Sequence, residues 1–395
     1  MEHEEQVRLI KVLIDRLDHG TNVDAGGLRR NPTSVYVDPA LAEREWQRFF
    51  RSEPQLIGLT GDLPEPGSFM TIDDFGTPIL AIRGEDGAFR AFVNACRHRG
   101  ARVEDAAQGT RRRFSCPFHA WTYDTTGTLV GLPRADHFGD IDRSCAGLRA
   151  LPAVERDGML WVHPDPSGHI DLEAILTPEL ARELGEWNLG GLNALARDTY
   201  HVRCNWKLAM DTFGETYHFS ALHSDTLYNS FHGNVQCYDT FGRNHRMLLC
   251  RRAIDDLRLR PESEWHIALA TLPVYWLFPG VQLMPTYDGL FLVRAYPVHG
   301  EPGRHVSRVS FYTRRPIADV TDDERGMASG FAGVIRDEDY AMSASQQANC
   351  EARALEYSVF GRNEPALHHY HNTYRQLLGM DPLPLLSAAE ALATG

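Results

Sequence analysis

Apolar residues recur at helical spacing near the start of the chain and then change to short alternating runs. Val7, Ile10, Leu13, Ile14 and Leu17 share one face, which predicts a helix over residues 5–18. Residues 25–34 are rich in Gly, Arg, Asn and Pro and read as a loop, with a second short helix expected over 44–53. From 55 to 165 the pattern predicts short strands broken by turns. Phe69–Ile72, Pro78–Arg83, Phe89–Asn94, Arg113–Ser115, Trp121–Asp124 and Met159–Val162 are the clearest. Asp124-Thr-Thr-Gly127 reads as a hairpin turn, with glycine supplying the positive φ.

Pro164, Pro166 and Gly168 mark a linker, and the pattern changes after it. Helices are predicted over 177–186, 206–223, 321–358 and 363–378. Strands are predicted within 272–298 and over His305–Thr313. The expected fold class is therefore α+β. An N-terminal helix and arm (1–43) precedes an all-β domain (44–166) and a larger domain (167–395) with an antiparallel sheet and long helices.

Composition narrows the function. The 395 residues carry a net charge of −13, which argues against general binding of nucleic acid or anionic membranes. The acidic first residues lack the pattern of a secretory signal, and no run reaches the roughly 18 apolar residues of a membrane span. A soluble, cytoplasmic protein is expected. Seven loosely spaced cysteines do not suggest a disulfide framework, so metal ligation is the better use for some of them.

Cys96-Arg-His98 and Cys116-Pro-Phe-His119 each follow a predicted strand, so each lies on a loop. Two such loops can present two thiolates and two imidazoles, the donor set of a Rieske [2Fe–2S] centre. Zinc also accepts Cys₂His₂, but its loops usually pair cysteines two to four residues apart, so this spacing favours the cluster. Arg97, Arg99, Arg102 and Arg111 to Arg113 make the loops basic against Glu104 and Asp105. Such a patch could dock an acidic electron donor or could simply be solvated.

The stretch from Asn205 holds Asp211, Glu215, His218 and His223. Two imidazoles and one carboxylate on one face of a metal form the facial triad of non-haem Fe(II) oxygenases. His218 and His223 are five residues apart, so a distorted helix or a helix end is needed to aim both. Asp339, at a predicted helix start, is the candidate carboxylate, with Asp337 and Glu338 as rivals. An acidic helix start favoured by the macrodipole is the competing explanation.

These motifs resemble the α subunits of Rieske non-haem iron oxygenases, the aromatic-ring-hydroxylating oxygenases. The matching stretches are CRHRGARV (96–103), CPFHAWTYDTTGTLVG (116–131), NWKLAMDTFGETYHFSALH (205–223), EDYAMSASQQ (338–347) and FGRNEPALHHYH (360–371). The resemblance implies a Rieske domain followed by a helix-grip (START-like) catalytic domain. It implies Cys96, His98, Cys116 and His119 as cluster ligands, and His218, His223 and Asp339 as ligands of one mononuclear Fe(II). It places Asp339 eight residues before Gln347.

The family also implies rings of subunits: a homotrimer, or α₃β₃ with a small subunit. There, electrons pass from one chain's cluster to the next chain's iron through an acid three residues before the first iron histidine. That acid is Glu215 here, where aspartate is usual, and some members acting on alkyl-ammonium compounds look similar at this point. Ala120 stands where a glycine commonly follows the second cluster histidine.

The implied reaction uses O₂ and electrons from NAD(P)H, delivered by a partner reductase with or without a ferredoxin. Ring dihydroxylation of a small aromatic substrate is the first expectation. Monooxygenation or oxidative demethylation of a non-aromatic or quaternary-amine substrate is the alternative. A Rieske electron carrier, or a ligand-binding module without iron, are the readings from other classes. His368, His369 and His371 are expected on a helix face at a subunit contact. Tyr275, Trp276, Phe278, Met284 and Phe291 are expected in the core, with some facing substrate.

Overall fold

The short alternating runs of the first half pair into three small antiparallel sheets. In the computed structural model, which describes residues 1–386 and 390, they lie in one compact unit, Trp46–Leu172 with Asn188–Asn193. Ile79–Arg83, buried at every position, is the middle strand of a five-stranded sheet. Ser68–Ile72 and Phe89–Val93 flank it, with Gln108–Thr110 and Ala150–Leu151 at the edges. Ala153–Arg156, Met159–Val162 and Gln55–Leu59 form the second sheet. Arg113–Ser115, Thr122–Asp124 and Leu129–Gly131 form the third. The predicted turn is present: Gly127 N–H donates to Asp124 O at 3.0 Å and Gly127 has φ 79°.

Two loops leave the core of this unit with the same closing pattern. Cys96 N–H donates to Ala101 O and Gly100 N–H to Cys96 O, at 2.7 and 2.9 Å. Cys116 N–H donates to Trp121 O and Ala120 N–H to Cys116 O, at 2.8 and 2.9 Å. Each loop closes through a left-handed residue, Gly100 at φ 81° and Ala120 at φ 57°. A Cβ makes that conformation costly, which gives a physical reason for glycine at position 120.

The other unit comprises Met1–Glu45, Glu173–Trp187 and the chain from Ala194 onward. It is built on a seven-stranded sheet. Its strands are β1 (Asn193–Val202), β2 (Phe231–Phe241), β3 (Asn244–Arg251), β4 (Thr271–Leu277), β5 (Val281–Pro285), β6 (Gly289–Val298) and β7 (Glu301–Thr313), in the order β1-β7-β6-β5-β4-β3-β2. Every pairing from β2 to β7 is antiparallel. The N-terminal helix α1 (His3–His19) packs on β2 through Leu9, Ile10 and Leu13 and ends at a left-handed Gly20. No helix among the described residues is long and apolar enough to cross a membrane.

Four sequence expectations change, the first being that residues 25–34, expected as a loop, hold the strand Leu28–Pro32. The helix predicted over 206–223 stops at α2 (Trp206–Asp211), and only one further turn forms, at Tyr217–Ser220. Gly214 lies where a Cβ would come within 2.2 Å of Leu367, and the Glu215 carboxylate captures the amides of Tyr217 and His218. The helix over 321–358 is α3 (Asp322–Val334), one wide turn (Ile335–Asp339) and α4 (Tyr340–Glu351). Its last two residues, Tyr357 and Ser358, instead begin a strand, Tyr357–Phe360, that pairs with Leu28–Pro32. Asp339 therefore lies inside a helical run and not at its start. The histidines of α5 (Pro365–Leu377) do not form an exposed contact face: His368 and His371 are buried. His369 lies 3.2 Å from His245 Nδ1 and 2.9 Å from Gly242 O.

A buried ion pair ties α2 to α5 and to the short helix Pro39–Glu45. Lys207 Nζ donates to both oxygens of Glu45, at 2.7 and 2.9 Å, and neither side chain is more than 1% exposed. Trp206 Nε1 and Tyr374 Oη also donate to Glu45, at 3.0 and 2.7 Å. Removing one partner of such a pair strands the other charge. Lys207→Met is expected to cost about 3–5 kcal/mol in urea denaturation, against much less for Lys11→Met on the surface. Ala120→Gly is expected to raise the urea midpoint slightly, by about 0.5 kcal/mol, because relief of the left-handed strain slightly exceeds glycine's entropic cost.

Candidate metal centres

In the Rieske-like unit the two loop tips bring all four sequence-selected donors together. Cys96 and Cys116 are buried in the apolar core beside Phe114, Trp121 and Tyr123. The imidazoles stand on the outer side, with ring centroids of His98 and His119 4.6 Å apart. Trp121 stacks on His98 at 5.1 Å, interplanar angle 9°, and fixes that ring. Tyr123 Oη lies 3.3 Å from Cys96 Sγ and accepts from Arg97 N–H at 3.0 Å. Sequence reasoning did not single out Tyr123. Its place two residues after Trp121, on an alternating strand, was the available signal.

Burial pushes the Cys96 thiol up, and Cys116 beside it adds to the effect. Two buried sulfurs facing each other and two more exposed imidazoles match the unequal halves of a Rieske cluster. The basic character of the loops is partly neutralised, since Arg102 pairs with Asp73 at 2.8 Å and Arg111 pairs with Glu104.

The second constellation lies in the larger unit. His218 stands on the single turn after the broken helix, His223 five residues on, and Asp339 at the end of the wide turn. Wide turns inside helices often occur at functional sites, because they re-aim side chains. One donor atom from each of the three residues lies within 4.8 Å of the other two. His218 Nε2 and His223 Nε2 are 3.6 and 3.4 Å from the same Asp339 Oδ1. Two donors about 2.1 Å from a shared ion lie roughly 3–3.5 Å apart, so the spacing fits a metal. His218 Nε2 is buried with no hydrogen-bond partner among the described residues. An orphaned imidazole nitrogen aimed at a carboxylate and a second imidazole is what a bound cation would satisfy.

Each imidazole is held from behind. His218 Nδ1 lies 2.5 Å from Glu215 Oε1, and Glu215 Oε2 accepts His218 N–H at 3.1 Å. His223 Nδ1 lies 2.7 Å from Glu338 Oε2, which also accepts from Thr226 Oγ1 at 3.0 Å. A carboxylate on Nδ1 fixes the Nδ1–H tautomer and turns the lone pair of Nε2 toward the metal position. Glu338 thus stands behind His223, not beside Asp339, and Asp337 is exposed and paired with Arg336. Burial opposes charge on His223, but Asp339 and Glu338 outweigh it and raise the ring's pKa.

Two spaces meet at this centre. A wide cleft of about 1110 Å³ reaches it past Tyr36, Asp211, Glu215 and Glu364. There Asp211 accepts from Tyr36 Oη and lies within hydrogen-bond distance of His371 Nε2, both at 2.8 Å. Burial, helped by Glu215 and Asp211, pushes Glu364 up to about 7. The other space is a small apolar chamber of about 40 Å³, lined by Phe213, Phe219, Phe231, Met284 and Phe331. Of Tyr275, Trp276, Phe278, Met284 and Phe291, Met284 lines this chamber. Tyr275 is tied instead to Glu183 and Trp187, at 2.5 and 2.9 Å.

Comparison with known proteins places this geometry. Residues 53–152 match the Rieske [2Fe-2S] domain, and residues 189–380 match the ring hydroxylating alpha subunit (catalytic domain). The glycine betaine monooxygenase oxygenase subunit of Chromohalobacter salexigens is 30% identical over 50% of this chain. The match spans less than half of that relative, 43% of its length. The carnitine monooxygenase oxygenase subunit of Escherichia coli is 23% identical over 88% of this chain and 93% of its own. A crystal structure of a quaternary ammonium Rieske monooxygenase in complex with L-carnitine has the same fold. Its TM-score is 0.76 at 19% identity, covering 90% of this chain and 97% of that one. With a [2Fe–2S] domain in its first half and a His–His–Asp site suited to mononuclear iron in its second, the chain belongs to the Rieske non-haem iron oxygenase α subunits.

Proposed function

We propose that this chain is the oxygenase component of a system that inserts one atom of O₂ into a C–H bond of a small quaternary amine. The observation that carries the reading is the convergence of His218, His223 and Asp339 on one point at the end of an apolar chamber. The relatives reported above are named as monooxygenase subunits, which supports the second of the two expected reactions better than ring dihydroxylation. Glutamate at position 215 supports the same choice. The phenyl faces of Phe213, Phe219, Phe231 and Phe331 suit a cationic methylammonium group as well as an apolar one.

When bound, the cluster supplies single electrons and the mononuclear iron activates O₂. Cys96, Cys116, His98 and His119 hold the first; His218, His223 and Asp339 hold the second. The phenyl side chains exclude water and orient the carbon to be attacked. One oxygen atom goes to the substrate and the other leaves as water, consuming two electrons and two protons. Hydroxylation next to a quaternary nitrogen gives a carbinolamine, which breaks into an amine and an aldehyde. The electrons come from NAD(P)H through a reductase, with or without a ferredoxin.

Glu215 joins the two metal functions in this reading. It holds His218 through Nδ1 and lines the cleft, which supports the reading that it receives His119 of a second copy in a ring of three. Tyr36, Asp211 and Glu364 make the cleft a place where protons can be held close to that path.

Three outcomes test the division of labour. Cys96→Ser is expected to abolish the visible Rieske spectrum. His218→Ala is expected to keep that spectrum and lose the third iron per chain by metal analysis, with product falling at least a hundredfold. Glu215→Gln is expected to retain all iron while single-turnover cluster oxidation slows by about a hundredfold; oxidation at the normal rate would remove Glu215 from the electron path. The reading as a whole is tested by aldehyde release and O₂ uptake with quaternary amines, arenes and aromatic acids, using a surrogate reductase. Release of a cis-diol from an arene, with no aldehyde from any amine, would reverse it.

A further inference from the structure

We propose that Arg251 recognises a carboxylate on the substrate, at the end of the chamber away from the iron site. This rests on the oxygenase reading above and names the class of compound the site takes.

The placement follows from strand register. Phe231 of β2 pairs directly with Arg251 of β3, and directly opposed residues of an antiparallel pair share a face. Leu249, two residues earlier on β3, shares it too. Its partner on β4 is Leu272. Phe231, Leu249 and Leu272 all line the apolar chamber. Arg251 is therefore the last residue of the strand row that forms the chamber wall. Its guanidinium carbon lies 5.5 Å from the centroid of the Phe231 ring.

The guanidinium lacks a counter-charge. Nε donates to Thr271 O at 3.0 Å, and among the described residues no carboxylate lies at ion-pair distance from it. Burial alone shifts the group, downward, with no acid opposing. Arg246, on the opposite face of the same strand, shows the usual solution: it pairs with Glu183 at 2.6 Å and Asp239 at 2.5 Å. A partly buried arginine left unpaired is costly, and a planar two-oxygen anion would complete it. The charged groups that line the chamber are Glu215, His218, His223 and Asp339, all at the iron end, and Arg251 adjoins the chamber behind the lining residue Phe231. A substrate with its reacting carbon among the phenyl rings and a carboxylate at the far end satisfies both ends.

The test is calorimetric titration of the iron-loaded protein with acids and with counterparts lacking the carboxylate. The pairs are glycine betaine and choline, L-carnitine and its methyl ester, and anthranilate and anthranilamide. At least one acid is expected to bind tenfold or more tightly than its counterpart. Arg251→Gln is expected to erase that preference, weakening the acid at least tenfold and the counterpart less than twofold, with the cluster spectrum and iron content unchanged. Arg251→Lys is expected to restore part of the loss. If no acid binds wild-type protein better than its counterpart, or if a folded Arg251→Gln or Arg251→Lys variant keeps the preference undiminished, the assignment is overturned. Substrate-dependent O₂ uptake by the wild type reports separately on the oxygenase reading, since binding preference is measured without turnover.

Discussion

Two carboxylates behind two imidazoles determine the rest of the site. Glu215 takes Nδ1 of His218, and Glu338 takes Nδ1 of His223. Each bond leaves Nε2 free to ligate and points it at Asp339. Without them the rings could rotate or carry the proton on the wrong nitrogen, and three donors near a point would not be three ligands. The fold provides what the carboxylates need. The helix after Asn205 ends at Asp211, ahead of Gly214, so Glu215 can reach forward to two backbone amides and one ring. The wide turn at Ile335–Asp339 then allows adjacent residues to do different work, Glu338 behind His223 and Asp339 in front of it.

Glu215 also explains why a glutamate functions where aspartate is usual. The extra methylene lets the side chain fold onto the Tyr217 and His218 amides while still meeting His218 Nδ1. The same residue lines the wide cleft with Asp211 and Glu364, so three acids stand together near one imidazole. Such crowding favours protons shared among the three acids.

How much was legible in the sequence depended on distance along the chain. Cys96-x-His98 and Cys116-x-x-His119 were readable because each pair is a single tight loop with its own closing hydrogen bonds. The strands of the first half were readable because they alternate locally and are joined by short turns. The break in the 206–223 helix was not, because side-chain capture by Glu215 and crowding by Leu367 decide it, and propensity does not. Tyr357 and Ser358 were read as helix because the partner of their strand, Leu28–Pro32, lies more than three hundred residues away in the sequence. Asp339 was named through family resemblance, whereas the role of Glu338 needed the third dimension. The histidines of α5 looked like a surface cluster, yet His371 is fully buried against Asp211.

The most direct measurement is a crystal structure of iron-loaded protein with anomalous data collected at the iron edge. The expected result is a single-iron peak, distinct from the cluster, bonded to Nε2 of His218, Nε2 of His223 and the Asp339 carboxylate, with Glu215 and Glu338 still on the two Nδ1 atoms. A peak elsewhere, ligation through either Nδ1, or no peak between these three residues in protein whose cluster is intact would contradict it.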